Sequence, residues 1–417
     1  MSSSPTLLNA SFAILTRLLN SKSALLNPDR NPVLRFVLRK TFYDQFCAGE
    51  NRAEVQRSIQ YAKALGYQGV VIEYALEVLG GEGQEKVEAD TARSNADVEE
   101  WRTGMLETVR MAEEGDFVAL KWSGLGSYAL ELLRRNQPPT PAMENAIYEV
   151  CDLAAAKGVA VLPGAEEEAS NVGIDSWSLK LQSKYNRPPT MPEGKPVMYN
   201  TYQAYLKSTP AKLAKHLVDA EKEGYVIGVK MVRGAYLASE PRERIWPTIE
   251  KTHEAYDGIA EALLRRQWND VLKPVGEGDG QAWPELAVVL ATHNQVSIEK
   301  AQALRDGQAA TGQKRVPLAF VQLWGMADEV SCEILQAAGK RKGLPAGEGK
   351  ALMTSSTVNL DVPRAFKCVT WGTTGQCLNF LLRRAAENKD AAARTEDSRR
   401  AMQGELWRRL RGVFGLS

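Results

Sequence analysis

Short apolar runs recur along the chain and alternate with stretches of helical pattern. Gly69-Val-Val-Ile-Glu-Tyr-Ala75 opens the series: β-branched residues flanked by glycine read as a short buried strand. The runs Phe117–Trp122, Val159–Leu162, Val197–Thr201, Val226–Val232, Leu286–Ala291, Leu318–Gln322 and Ala365–Thr370 follow, making eight. Between them lie Val98–Gly115, Pro141–Lys157, Thr209–Gly224, Thr248–Gln267, Ser297–Asp306 and Asp328–Ala338, which read as helices. Eight strands alternating with helices predict an α/β protein built as a (β/α)8 TIM-like barrel. A doubly wound open sheet is the competing arrangement, but no GxGxxG follows a strand to support a dinucleotide fold.

Ahead of the first strand, Asn27-Pro-Asp-Arg-Asn-Pro32 is a turn-rich break. Helical segments follow over Val33–Phe46 and Ala53–Leu65, the second closed by Gly66. Residues 1–66 therefore read as an N-terminal helical arm, 67–390 as the barrel with its final helix, and 391–417 as a charged tail. Gly80–Asn95 reads as a mobile acidic loop, Asn171–Pro196 as a long insertion after the third strand, and Lys273–Trp283 as a glycine-rich connection. Phe380–Asn388 contains no Pro or Gly and is rich in Leu and Ala, so it reads as a helix.

Composition removes several classes. With 417 residues and 44% hydrophobic content, the chain can bury one large core. Lys and Arg total 52 against 51 Asp and Glu, leaving no basic excess for nucleic acid. Five cysteines, odd in number and without CxxC spacing, read as reduced thiols, not as a disulfide framework or zinc site. No apolar run reaches the roughly 18 residues of a transmembrane helix. The first 28 residues lack Asp and Glu, and resemble the tail of an organelle-targeting segment.

In a barrel of this class the active site lies at the C-terminal mouth, so the strand ends carry the chemistry. The second strand ends in Lys121, a charge that is expensive to bury alone. The fourth carries Asn200, Thr201 and Gln203, and the fifth Lys230 and Val232-Arg-Gly-Ala-Tyr236. The sixth ends in Thr292-His-Asn294, the seventh in Gln322-Leu-Trp324. Apart from Glu166, this reading finds almost no carboxylate on the rim. That argues against a glycosidase pair, and three histidines without HxH or HExxH argue against catalytic zinc. No GxSxG elbow is present. Cations, amides and apolar surface suit a large anionic cofactor and a small carboxylate substrate. Arg383 and Arg384 on the final helix offer adjacent guanidinium forks for such a carboxylate, with Glu387 one turn on.

Five motifs then carry a resemblance: Asn200-Thr-Tyr-Gln-Ala-Tyr-Leu206, Lys230-Met-Val-Arg-Gly-Ala-Tyr236, Ala291-Thr-His-Asn294, Gln322-Leu-Trp-Gly-Met326 and Leu382-Arg-Arg-Ala-Ala-Glu-Asn388. In this order and spacing they resemble the FAD-dependent proline dehydrogenase family, and Leu26–Pro32 resembles its fungal, monofunctional branch. The resemblance implies non-covalent FAD across the strand ends and a last helix over the barrel mouth. It implies hydride transfer from proline to flavin N5, giving pyrroline-5-carboxylate, with membrane quinone as electron acceptor. A place at the mitochondrial inner membrane, on the matrix side, comes with it. By motif, Arg383, Arg384 and Lys121 would clamp the substrate carboxylate and Tyr236 would wall the pocket. Lys230 would sit near flavin N5, while Gln203, Gln322, Val232, Arg233, Gly234 and Ala235 would surround the flavin. Arg233, Thr252, Thr292, His293 and Asn294 would meet its ribityl, pyrophosphate and adenosine parts, and Glu387 would brace Arg384.

This sequence departs from the family pattern at four places. Gly164 replaces an aspartate, Trp324 a pocket leucine, Cys368 a substrate-facing tyrosine, and Phe380 the tyrosine that opens the last motif. Cys368 opens volume where a ring substituent would sit, and Trp324 is expected to add bulk from the other side. Proline is the first substrate expected, with 4-hydroxyproline or another cyclic amino acid as the alternative. A flavin-binding sensor or partner protein without turnover is the alternative from another class.

Overall fold

The computed structural model describes residues 13–19, 21, 23–77, 91–191, 195–237, 239–275, 283–342 and 360–387. Eight parallel strands form the centre: β1 Gly69–Tyr74, β2 Phe117–Leu120, β3 Ala160–Pro163, β4 Asn200–Gln203, β5 Ile227–Val232, β6 Leu286–Ala291, β7 Leu318–Leu323 and β8 Ala365–Trp371. Hydrogen-bonded neighbours run β3-β2-β1-β8-β7-β6-β5-β4, so chain order is spatial order around a ring. At the remaining seam, β3 meets the entry to β4 through one parallel bridge. There Val161 N–H donates to Val197 O at 2.6 Å and Tyr199 N–H to Val161 O at 3.0 Å. The barrel expected from the alternation is present and nearly closed.

Period-2 alternation splits each strand between the lumen and the helix layer. Val71, Ala119, Leu162, Tyr199, Val289, Val321 and Phe366 form the lumen plug. Phe117 meets Phe366 and Tyr199 edge-on, with ring centroids at 5.0 and 5.9 Å. Two positions further along their strands, Glu73, Lys121 and Cys368 therefore also face the lumen, but at its C-terminal mouth. The outer faces pack a larger cluster that includes Val70, Ile72, Val118, Leu120, Val229 and Leu290.

The expected insertion Asn171–Pro196 is corrected: a helix spans Glu168–Tyr185. Its buried face carries Ser170, Asn171, Asp175, Ser178 and Gln182 among the apolar residues, which hides the helical period. Partners offset the cost of burying several of these polar groups. Asp175 accepts from Asn200 Nδ2 at 2.8 Å and pairs with Lys212 at 2.9 Å. Gln182 bonds both the N–H and C=O of Gly228, at 2.9 and 3.2 Å.

In the arm, residues 13–19 are helical, and the helix Pro32–Leu38 is started by the cap Asn31 and Pro at its first position. It continues as the π-helical turn Arg39–Tyr43 and the short helix Asp44–Phe46, then the strand Cys47–Gly49 on the edge of β8. The arm fixes the start of the final helix, Thr374–Glu387. Gly375 N–H donates to Asp29 Oδ1 at 2.9 Å, and Thr374 N–H to Glu50 Oε1 at 2.7 Å. Carboxylates at a helix N-terminus oppose its positive end. No described helix is long and apolar enough to cross a membrane. Half of the acid-poor start, most of the expected acidic loop and the charged tail lie outside the described residues.

Candidate active site

Lys121 leaves the end of β2 with its backbone carbonyl held by Trp101 Nε1 at 3.0 Å. Its ammonium pairs with Glu73 at 3.1 Å and with Glu77. Glu77 lies just past β1, and its other oxygen pairs with Arg383. Lys121 also sits 4.1 Å from the centroid of the Phe380 ring, and the Arg384 guanidinium lies 5.4 Å from the same centroid. Phe380 and Arg383 can reach these groups only because the final helix crosses the mouth. The fold thus brings Lys121, Arg383, Arg384 and Phe380 together, as the motif reading expects.

The near-absence of carboxylates on the rim is the reading that needs correction. Glu73 and Glu77 stand among the cations, and Glu73 is only 9% exposed. The sequence signal was a glutamate inside a β-branched run, with a second four residues on. Burial pushes the Glu73 carboxyl up, against Arg384 and Lys230, which pull it down. Its Oε2 accepts from Thr370 Oγ1 at 3.2 Å and faces Cys368 Sγ at 3.7 Å. Lys230, on the lumen side of β5, is held below the usual ammonium range by burial, with Cys368 and Glu73 opposing that shift. Burial and then Glu73 push the Cys368 thiol up.

Across the mouth, Tyr236 OH donates to Glu166 Oε2 at 2.5 Å. Burial raises the Glu166 carboxyl, while Tyr236, Ser123 and Arg384 lower it. Gln203 Nε2 donates to Glu166 O at 2.8 Å, tying β4 to the loop after β3. Gly164 occupies the start of that loop, its N–H donating to Leu120 O at 2.7 Å.

A second polar group lies at the ends of β5 and β6. Arg233 donates to His253 Nδ1 at 2.9 Å, Thr292 Oγ1 at 2.6 Å and Ser297 Oγ at 2.7 Å. Its guanidinium stands 4.3 Å from the Tyr256 centroid. Those acceptors are neutral, and burial holds Arg233 below its usual range. Ser297 lies in the first turn of the helix Gln295–Ala310. Asp257 answers part of the Arg233 charge: it accepts from Ser297 Oγ at 2.5 Å and, with Tyr256, opposes the effect of burial on Arg233. An arginine beside the first turn of a helix is also suited to a bound anion. Beside it, Gly234 has φ +130°, and a Cβ there would run into the Tyr205 ring. The missing side chain thus lets the Tyr205 ring pack against the backbone at the end of β5, between Val232 and Ala235. The donor set fits a phosphate-bearing cofactor.

Other expected site residues serve the scaffold. Trp324 follows the outward-facing parity of β7, and its ring contact among the described residues is edge-on with Tyr61, at 6.2 Å. The bulk expected over the pocket is thus spent on the helix Arg52–Ala64. Gln322 bonds Thr292 O at 3.2 Å and Ser331 Oγ at 3.3 Å. Thr252 donates to Thr248 O at 3.4 Å within its helix. His293 Nε2 accepts from Leu323 N–H at 3.1 Å, and Asn294 Oδ1 caps the following helix through Ser297 N–H at 3.0 Å. Glu387 ends the final helix, and its side chain lies outside the described residues.

The chain is similar to known proteins in sequence and in fold. The family model described as proline dehydrogenase matches residues 55–397. Mouse hydroxyproline dehydrogenase is 26% identical over 90% of this chain and 83% of its own. Proline dehydrogenase 1, mitochondrial, of Arabidopsis thaliana is 26% identical over 95% of this chain and 79% of its own. Proline utilization A from Bdellovibrio bacteriovorus, solved after inactivation by N-propargylglycine, superposes with a TM-score of 0.63 at 16% identity. That match covers 91% of this chain and 36% of the larger protein, and it speaks for the fold. With the family model spanning most of the barrel and the final helix, the chain belongs to the proline dehydrogenase family.

Proposed function

We propose that this chain oxidises L-proline to pyrroline-5-carboxylate with bound FAD. The observation that carries the reading is that Lys121 and Arg383 meet on the two oxygens of a single carboxylate, that of Glu77. A substrate carboxylate is the same chemical group, and the same two cations suit it, with Arg384 beside them. FAD, when bound, supplies the hydride acceptor at flavin N5. The chain's own residues do the rest. Lys121, Arg383 and Arg384 fix the carboxylate, and so decide which ring carbon faces the flavin; orientation of this kind supplies much of an enzyme's rate. Phe380 and Tyr236 enclose the ring. The ring nitrogen gives up a proton as the adjacent carbon loses its hydride, and a C=N bond forms.

The cofactor assignment rests on chemistry of the same kind. Arg233, Thr292 and the start of Gln295–Ala310 would hold the pyrophosphate, and the Gly234 backbone would lie against the ring system. Lys230 would place a buried positive charge beside the flavin, which favours its reduced, anionic form. Gln203 lies on the lumen side and would line the ring, whereas Gln322, Thr252, His293 and Asn294 act through the backbone they hold.

The visible spectrum of the purified protein, followed by anaerobic addition of proline, tests the reading. A yellow protein bleached by proline is expected; a colourless preparation that takes up no FAD would sink it. Bleaching also excludes a binding protein without turnover. Cys368 favours a second substrate, 4-hydroxyproline, because a thiol stands beside an acceptor, Glu73, at 3.7 Å. Steady-state comparison of proline, hydroxyproline, pipecolate and thiazolidine carboxylate decides between them. Membrane quinone is the proposed electron acceptor, and the mitochondrial inner membrane the proposed location. The exposed side chains of Leu25, Val33 and Phe36 on the arm support peripheral membrane contact.

A further inference from the structure

Two carboxylates share Lys121, and they are held very differently. Glu77 lies beyond the last residue of β1, where the chain has left the sheet. Glu73 lies inside β1, in register with Ala119 of β2 and Thr370 of β8, so its backbone is fixed on both sides. Both of its oxygens are engaged: Oε1 with Lys121 at 3.1 Å, Oε2 with Thr370 at 3.2 Å and with Cys368. It is an anchored carboxylate at the floor of the mouth.

Lys121 lies against the Phe380 ring and between the two carboxylates. A lysine stem is long and flexible, and an ammonium has no preferred plane, so its aim depends on what it is tied to. Glu73 ties it from below, and Thr370 sets the direction of that tie. Glu73 also offsets charge. Lys121, Lys230 and Arg384 all face it, and Cys368 and Thr370 complete its surroundings. We propose that Glu73 is a positioning residue: it keeps Lys121 aimed at the substrate carboxylate. The proposal rests on the function read above and adds a residue that the motif reading overlooked.

The test uses the FAD-loaded full chain. Wild-type protein is first bleached anaerobically with proline; no bleaching by any cyclic amino acid overturns the functional reading itself, before Glu73 is in question. Glu73→Gln removes the charge with little change of shape. The expected result is a bleaching rate lower by about tenfold or more, the scale on which small misplacements act. Binding of cyclopentanecarboxylate, followed by the shift of the flavin band, should weaken several-fold and KM should rise with it, because the ammonium that Glu73 aims also grips the carboxylate. Glu73→Asp, which keeps the charge, should recover part of the rate. In a Lys121→Met background Glu73→Gln should change the rate by no more than about twofold, the usual error of additivity. Thr370→Val provides the same test more gently if Glu73→Gln does not fold, and a reduced rate that disappears in the Lys121→Met background supports the proposal. An unchanged rate in Glu73→Gln overturns it. So does an equal loss with and without Lys121, because that marks a structural role.

Discussion

Glu77 gives one carboxylate oxygen to Lys121 and the other to Arg383. The two cations come from the end of the second strand and from the final helix, so this one side chain joins the first part of the barrel to the last. Like charges so close are tolerable because Glu77 and Glu73 stand between them. The same crowding makes the place attractive to a small zwitterion, whose carboxylate can do what Glu77 does.

Lys121→Met should leave Glu73 and Glu77 buried without their shared cation. Breaking a buried pair in this way costs on the order of 3 kcal/mol. Urea denaturation should show that loss together with a KM for proline raised at least tenfold. Normal stability with normal KM would place the clamp elsewhere.

Arg384→Met should leave the fold intact and nearly abolish turnover. Truncating one member of a buried charge pair costs roughly 2–5 kcal/mol in binding, or about thirtyfold upward. Flavin content should stay near wild type while kcat/KM falls by that factor. A variant retaining most of its activity would show that Arg383 and Lys121 suffice.

Cys368→Tyr fills the space beside Glu73 on the lumen side of β8. The ratio of kcat/KM for proline over 4-hydroxyproline should rise by about tenfold or more, as expected when a bulky ring excludes a substituent. Kinetics with both substrates measure it, and an unchanged ratio means that position 368 does not read the ring.

Gly234→Ala should weaken cofactor binding. The residue sits at φ +130°, where L side chains are strained, and its new methyl would collide with Tyr205. Strain of about 1–3 kcal/mol at this turn is expected. The ratio of flavin to protein absorbance after gel filtration should fall several-fold, and the Tm of the apoprotein should fall with it.

What the sequence determined was local and periodic. The alternation of β-branched runs with helical stretches specified the barrel, because each run had to be buried on both faces and each helix on one. Gly66 and the break Asn27–Pro32 marked segment ends for reasons internal to a few residues. The two adjacent arginines, Lys121 and Lys230 stood out because a charge beside an apolar strand needs a partner. The helix over 168–185 did not stand out, since its buried face uses Asp175 and Gln182 bonded to distant strands. Glu73 escaped for a related reason: within one run it is an isolated acid, and its meaning lies in Lys121, Thr370 and Cys368, which come from β2 and β8. Trp324 was read as a pocket wall, and the parity of β7 sends it outward to Tyr61. Closing the ring decided these matters, because it brings the first and last strands side by side. Partnership between charges is a property of space, and periodicity along a chain carries no information about which distant side chain will stand opposite.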